Sequence, residues 1–207
     1  MRYPDGCILQ FTKSPVAGEV KTRLIPALGA EGALDLHRQL TRQTLEVALG
    51  AKVSPVQLWV SEKPEHSFFQ EIAQGLDLPI HVQQGLDLGE RMTNAIAVAL
   101  EKYRYVLLIG SDCPVLSGQY LEAAMASLVG GADICLGPAI DGGYVLIGAR
   151  GDLGDALAGV DWGTSCVFKQ TMQNFDHRGM SVELLPELWD VDTEADYQRL
   201  LALNACG

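Results

Sequence analysis

Short apolar runs alternate along the chain with stretches of helical period. Cys7-Ile8-Leu9-Gln10-Phe11 predicts a first buried strand, Val56-Gln57-Leu58-Trp59-Val60 a second, and residues 79–83 a third. Tyr105-Val106-Leu107-Leu108-Ile109 is apolar throughout, as expected of a central parallel strand covered on both faces. Residues 132–136 and 144–147 predict two more strands. Between them, Ala33, Leu36, Leu40 and Val47 fall on one face of a helix, and residues 68–74 predict a short one. Residues 88–100 form a further helix with Met92, Ile96 and Ala99 inward, and residues 167–175 read as helical. Ser117 is placed to N-cap a helix whose inner face carries Leu121, Ala124 and Leu128. Thr193 opens the last helix, through Tyr197, Leu200 and Leu201, with Asp196 three residues on as a capping box.

Strands alternating with helices imply right-handed βαβ units, a mostly parallel sheet and an α/β class, within one domain over residues 1–207. Ligands of such sheets bind outside the carboxyl ends of the strands. The loops to inspect are therefore residues 12–26, 110–114, 137–143 and 190–193.

Composition narrows the function classes. The chain is 48% hydrophobic and 20% charged, which suits a real core. A net charge of −11 and a pI of about 4.7 argue against nucleic-acid binding, while local cations can still hold a small anion. Cys7, Cys113, Cys135, Cys166 and Cys206 contain no C-x-x-C pair, and the four histidines show no ligand spacing, so neither zinc nor a disulfide framework is expected. The first apolar run is too short for a signal peptide, and none approaches the roughly 18 residues of a membrane span. The expectation is a cytoplasmic protein.

The first loop, residues 12–26, places Lys13, Lys21 and Arg23 directly after a strand. In so acidic a chain such a cluster suits a phosphate, although a solvated basic loop has the same composition. It is neither a Walker A loop nor a G-x-G-x-x-G fingerprint. Ser111-Asp112-Cys113-Pro114 follows the most apolar strand. A carboxylate there needs a cation, and Mg2+ or Mn2+ would satisfy it; backbone N–H bonds in a turn before Pro114 are the plainer alternative. Cys113 invites a nucleophile reading, against the commoner buried thiol. Asp141-Gly142-Gly143 is either a turn or a place where backbone approaches a ligand, with Asp141 aiding recognition. Asp190 and Asp192 point the same way if extended, and together need a cation or solvent.

With these residues in view, the chain resembles the nucleotide-diphospho-sugar transferase superfamily, nearest a bacterial glycosyltransferase-like family of poorly defined activity. The carrying segments are Thr12-Lys13-Ser14-Pro15 through Lys21-Thr22-Arg23-Leu24, Leu88-Gly89-Glu90-Arg91-Met92, Gly110-Ser111-Asp112-Cys113-Pro114, residues 137–144, and Asp190-Val191-Asp192-Thr193. The resemblance implies a GT-A-like, Rossmann-like α/β/α sandwich with a mostly parallel central sheet. It implies catalytic roles for Asp112, Asp192, Lys21 and Arg23, with Asp112 and Asp192 holding Mg2+ or Mn2+ and the two cations on phosphate. Lys13, Ser111, Asp141, Gly142 and Gly143 are the implied substrate contacts. The first loop lacks the Leu-Ala-Gly-Gly signature of sugar-nucleotide pyrophosphorylases, and Ser-Asp-Cys replaces Asp-x-Asp, so the donor is not named.

Glycosyl transfer from a nucleotide-activated donor to a small acceptor is the first reading, with Asp141 a candidate base. Transfer of a nucleoside monophosphate from a triphosphate to a phosphorylated or hydroxyl acceptor is the second, and a nucleotide-binding module without turnover the third.

Overall fold

A computed structural model describes residues 1–205, so Cys206 lies outside the described residues. The sheet contains β1 (Gly6–Thr12), β2 (Val56–Val60), β3 (Ile80–Val82), β4 (Tyr105–Ile109), β5 (Ile134–Pro138), β6 (Tyr144–Ala149) and β7 (Val182–Leu184). Their order is β3-β2-β1-β4-β6-β5-β7. Among the described residues the helices are α1 (Ile25–Ala51), α2 (Ser67–Ala73), α3 (Leu88–Leu100), α4 (Gly118–Val129), α5 (Val167–His177) and α6 (Glu194–Ala205).

Every residue of β1 is buried, because helices cover both faces of the sheet. The period-2 alternation divides its side chains: Ile8, with Leu58 and Leu107, packs against α1, α2 and α4. Leu9, with Leu108 and Ile147, packs against Met92 and Ile96 of α3 and Phe175 of α5. The result is the expected α/β/α sandwich. A smaller cluster joins Leu36 and Leu40 of α1 to Trp189, Val191 and Leu200, and so ties the chain's last loop to its first helix.

The mostly parallel sheet is present, with one strand reversed. β1 pairs in parallel with β2 and β4, β2 with β3, and β5 with β7. β6 runs antiparallel to β4 and β5. Residues 139–143 explain it: a parallel return needs a crossover of about a dozen residues or more, so this loop admits only a hairpin.

One expectation for α1 is corrected. Val47 is only partly buried, and the inward stripe runs through Leu34, Leu36, His37, Leu40, Thr41, Thr44, Leu45 and Ala48. The helix also kinks at Gly29, whose φ of 71° lies outside helical space. The capping expectations hold. Ser117 Oγ accepts from Tyr120 N at 3.2 Å, and Asp196 accepts from Thr193 N at 2.8 Å while donating its own N–H to Thr193 Oγ1 at 3.4 Å.

Asp133 closes the sheet away from the site. Its carboxylate accepts from Ser181 N at 2.9 Å, Ser181 Oγ at 2.7 Å and Arg150 Nη2 at 2.7 Å. The Ser181 hydrogen bonds, then Arg150, hold its carboxyl down at about 2. This group supports the fold at and above pH of about 4, and its contribution fades as pH falls through about 2. With a third of the side chain exposed (34%), Asp133→Ala is expected to cost about 1 kcal/mol at pH 7 and clearly less at pH 2. Urea titrations at the two pH values measure the difference.

Candidate active site

The strand order reverses between β1 and β4, so their carboxyl ends flank the switch point where open α/β sheets take ligands. Because β6 is reversed, its first residue, Tyr144, lies at that same edge. Backbone hydrogen bonds hold the last loop there: Leu188 N donates to Pro138 O at 2.9 Å and Val191 N to Asp112 O at 3.0 Å. The four inspected loops thus meet at one edge.

Lys21 is at the centre of the meeting. Its φ of 47° and ψ of 40° put a non-glycine residue in the left-handed region, at a cost of order 1 kcal/mol. That conformation drives its side chain inward to 3% exposure. The ammonium donates to Val191 O at 2.6 Å and lies 2.8 Å from Asp112 Oδ1 and 3.7 Å from Asp192 Oδ1. Arg23, 63% exposed, donates to Asp192 Oδ2 at 2.8 Å from the outer side. The exposed pair contributes little to stability, whereas a buried ammonium must keep a counter-charge.

Asp112 Oδ1 is itself buried and has no directed hydrogen-bond partner; the nearby ammonium pairs with it by charge. Two carboxylates facing one cation fit a divalent ion of the Mg2+ type, which takes one or two protein carboxylates and completes its shell with phosphate oxygens and water. They do not make an all-protein metal cage: among the described residues no group of three or more His, Cys, Asp or Glu side chains could hold a metal ion.

Two adjoining cavities open at this cluster. One, of about 620 Å³, is lined by Lys13, Lys21, Arg23, Arg91, Ser111 and Asp112, among others. The other, of about 380 Å³, is lined by Met92, Leu108, Asp141, Gly143, Tyr144 and Asp190, among others. Gly110, Trp162 and Asp192 line both.

The remaining candidates divide between lining and support. Lys13 is exposed at the larger cavity, and its carbonyl accepts from His37 Nε2 at 3.0 Å. The Ser111 hydroxyl donates to Phe11 O at 2.8 Å and accepts from Gln10 Nε2 at 3.0 Å, fastening β4 to β1 beneath Asp112. Asp141 Oδ1 accepts from Gly143 N at 2.9 Å in an Asx-type turn. Gly142, with φ of 89°, lies against the Ser165 carbonyl, where any Cβ would collide. The Cys113 thiol is buried and pushed up to about 12, by burial first and then by Asp190, so it is a packed thiol and no nucleophile.

Several site residues escaped the sequence reading. Asp190 was visible only as half of an acidic pair; in the fold its carboxyl is pushed up to about 7, by burial first and then by Asp112 and Asp141, with Lys21 opposing. His37 faces the larger cavity from the buried stripe of α1, and burial holds it below its usual value against the pull of Asp112. A polar residue between Leu36 and Leu40 was the available signal. Residues 162–165 carried none.

Gly89 explains how that last segment reaches the site. A Cβ there would lie 2.8 Å from Leu157 O and 2.8 Å from Trp162 Cζ2. Glycine lets α3 close on the Trp162 loop. Gly89→Ala is expected to destabilise the chain by about 1–3 kcal/mol, through overpacking, and to shift Trp162 emission in the folded state; urea unfolding followed by fluorescence checks both.

Comparison with known proteins follows the same lines. Residues 44–164 match the family described as an uncharacterized protein conserved in bacteria, DUF2064. No curated protein matches the chain. Among solved structures, a candidate nucleotide-diphospho-sugar transferase from Desulfovibrio desulfuricans G20 is 34% identical, with 92% of this chain and 83% of that one covered and a TM-score of 0.83. More distant structures share the fold. The 4-diphosphocytidyl-2C-methyl-D-erythritol synthase of Anaerococcus prevotii DSM 20548 is 11% identical, at TM-score 0.65 over 97% of this chain and 96% of that one. The inositol-1-phosphate CTP transferase of T. maritima is 12% identical, at TM-score 0.63 over 93% and 91%.

Proposed function

We propose, from the premise that the chain belongs to the bacterial family DUF2064, that it is a metal-dependent transferase acting on a nucleotide-activated donor, in the first place a nucleotide sugar. The observation that carries this reading is the convergence of Asp112 and Asp192 on one cation position at the mouth of a cavity of about 620 Å³ lined by Lys13, Arg23 and Arg91. The 34% identity to a candidate nucleotide-diphospho-sugar transferase supports the donor class.

In this reading Asp112 and Asp192 would hold Mg2+ or Mn2+, which would supply charge neutralisation on the diphosphate leaving group. Lys21 exchanges its two carboxylates for phosphate oxygens when the donor enters. Arg23 and Lys13 neutralise the charge that develops as the sugar–phosphate bond breaks. Ser111 keeps the Asp112 loop fixed to β1 and so sets the cation position. Asp141 lines the smaller cavity, where an acceptor would bind, and is the candidate base.

Transfer of a nucleoside monophosphate is the second reading, favoured by the cations that crowd the larger cavity, since that chemistry consists mostly of positioning and charge stabilisation. A thermal-shift series of sugar nucleotides and nucleoside triphosphates, with and without Mn2+, tests both. Stabilisation that needs Mn2+ and disappears in Asp112→Ala is the expected result. Equal stabilisation in the variant removes the metal site from the proposal. Product analysis then divides the readings: a nucleoside diphosphate marks glycosyl transfer and pyrophosphate marks nucleotidyl transfer. Nucleotide binding with neither product leaves a binding module.

A further inference from the structure

We infer that the smaller cavity takes an uncharged, hydroxyl-bearing acceptor with one apolar face, and discriminates against phosphorylated acceptors. The inference rests on the transferase reading and adds the substrate class of its second half.

The cavity, of about 380 Å³, is the size of a site for one small molecule. Its two sides differ in chemistry. Met92 and Leu108 supply hydrocarbon, together with the rings of Tyr144 and Trp162, whose centroids lie 6.3 Å apart at 82°. Such a wall suits the C–H face of a sugar ring or an aromatic group. The other side is lined by Asp141, Asp190, Thr164 and Ser165. Carboxylates accept hydrogen bonds and, when ionised, donate none, so hydroxyl groups satisfy them.

Charge sets the discrimination. Among the described residues lining this cavity, Arg23 is the single cation, and it is already paired with Asp192 at 2.8 Å. Asp141 and Asp192 both line it. The neighbouring cavity has Lys13, Lys21, Arg23 and Arg91 in its wall against Glu19, Asp112 and Asp192, so cations outnumber carboxylates there. A phosphate group therefore finds four cations in the larger cavity and, in the smaller one, a single cation already paired, outnumbered by carboxyl groups. Because Gly110 and Asp192 belong to both walls, an acceptor hydroxyl seated here lies beside the donor's reacting end.

The test uses the full chain with Mg2+, in saturation-transfer NMR and titration, with each nucleoside diphosphate present and absent. The probes are phenyl glycosides of glucose, galactose and mannose against the 6-phosphates of the same compounds. The expected result is a neutral member that binds at least tenfold more tightly than its phosphate. Asp141→Asn should narrow that ratio. Thr164→Trp, which fills the cavity from an exposed loop position, should abolish glycoside binding and keep the nucleotide thermal shift. Phosphates that bind as well as their neutral partners overturn the inference. So do the absence of any neutral binder and glycoside binding that survives Thr164→Trp. Loss of every nucleotide-dependent shift fails the donor reading instead, so the two failures are distinguishable.

Discussion

Asp112→Asn is expected to lower kcat/KM for the nucleotide donor by about 10³-fold, equivalent to about 4 kcal/mol at the transition state, while the chain stays folded. The substitution keeps size and removes one of two charges that face the cation position. Asp192 remains, but its carboxylate is also bonded to Arg23, so it cannot by itself hold a divalent ion against the leaving group. Stability should change little. The Lys21 ammonium keeps Val191 O at 2.6 Å and Asp192 Oδ1 at 3.7 Å. The backbone bond from Val191 N to Asp112 O does not involve the side chain. Steady-state kinetics with the donor identified by thermal shift, beside a urea titration, gives both quantities. Turnover within tenfold of the wild type would remove Asp112 from the metal role.

Leu107→Ala should behave in the opposite way, costing about 3–5 kcal/mol of stability with little change in kcat for the molecules that remain folded. Leu107 is fully buried on β4, between Ile8 of β1 and Gly148 of β6, and packs in the core beneath α4. Its Cδ2 sits 2.8 Å from where a Cβ on Gly148 would lie, so the missing side chain leaves a void that the neighbouring glycine cannot fill. The same strand ends at Ile109, just before the Asp112 loop. Urea midpoints measure the loss; activity per folded molecule, measured well below the midpoint, separates it from damage to the site. A loss below about 1 kcal/mol would mean that the sheet relaxes around β4.

The contrast between these variants bears on how much the chain discloses before it folds. β2, β4 and α3 were legible to the residue, because a fully apolar strand and an amphipathic helix of regular period are local patterns. The Ser117 and Thr193 caps were legible for the same reason. β7 was missed: Val182-Glu183-Leu184 is short and only its first residue is partly buried, so its pairing with β5 leaves little periodic trace. The direction of β6 is not a local pattern of its residues; it follows from the length of residues 139–143, too short for a parallel crossover.

In the site, the sequence by itself determined the chemical stock: one basic loop, two acidic corners and a paired glycine turn, each at the carboxyl end of a strand or its equivalent. Those assignments need only composition, order and the rule for open α/β sheets. Asp112 could be identified because a carboxylate after an apolar strand is costly wherever it stands. Its partners were decided only by the tertiary structure. Lys21 comes from 91 positions upstream and Asp192 from 80 positions downstream, and they meet through a left-handed residue and a backbone bond from Val191 to Asp112. Burial of Asp190 and the division of the cleft into a basic and an acidic cavity likewise depend on which loops the sheet order makes neighbours. Local pattern fixes which groups each loop carries, whereas charge acts through space, so the cation position and the two cavities exist only once strand order has set the distances.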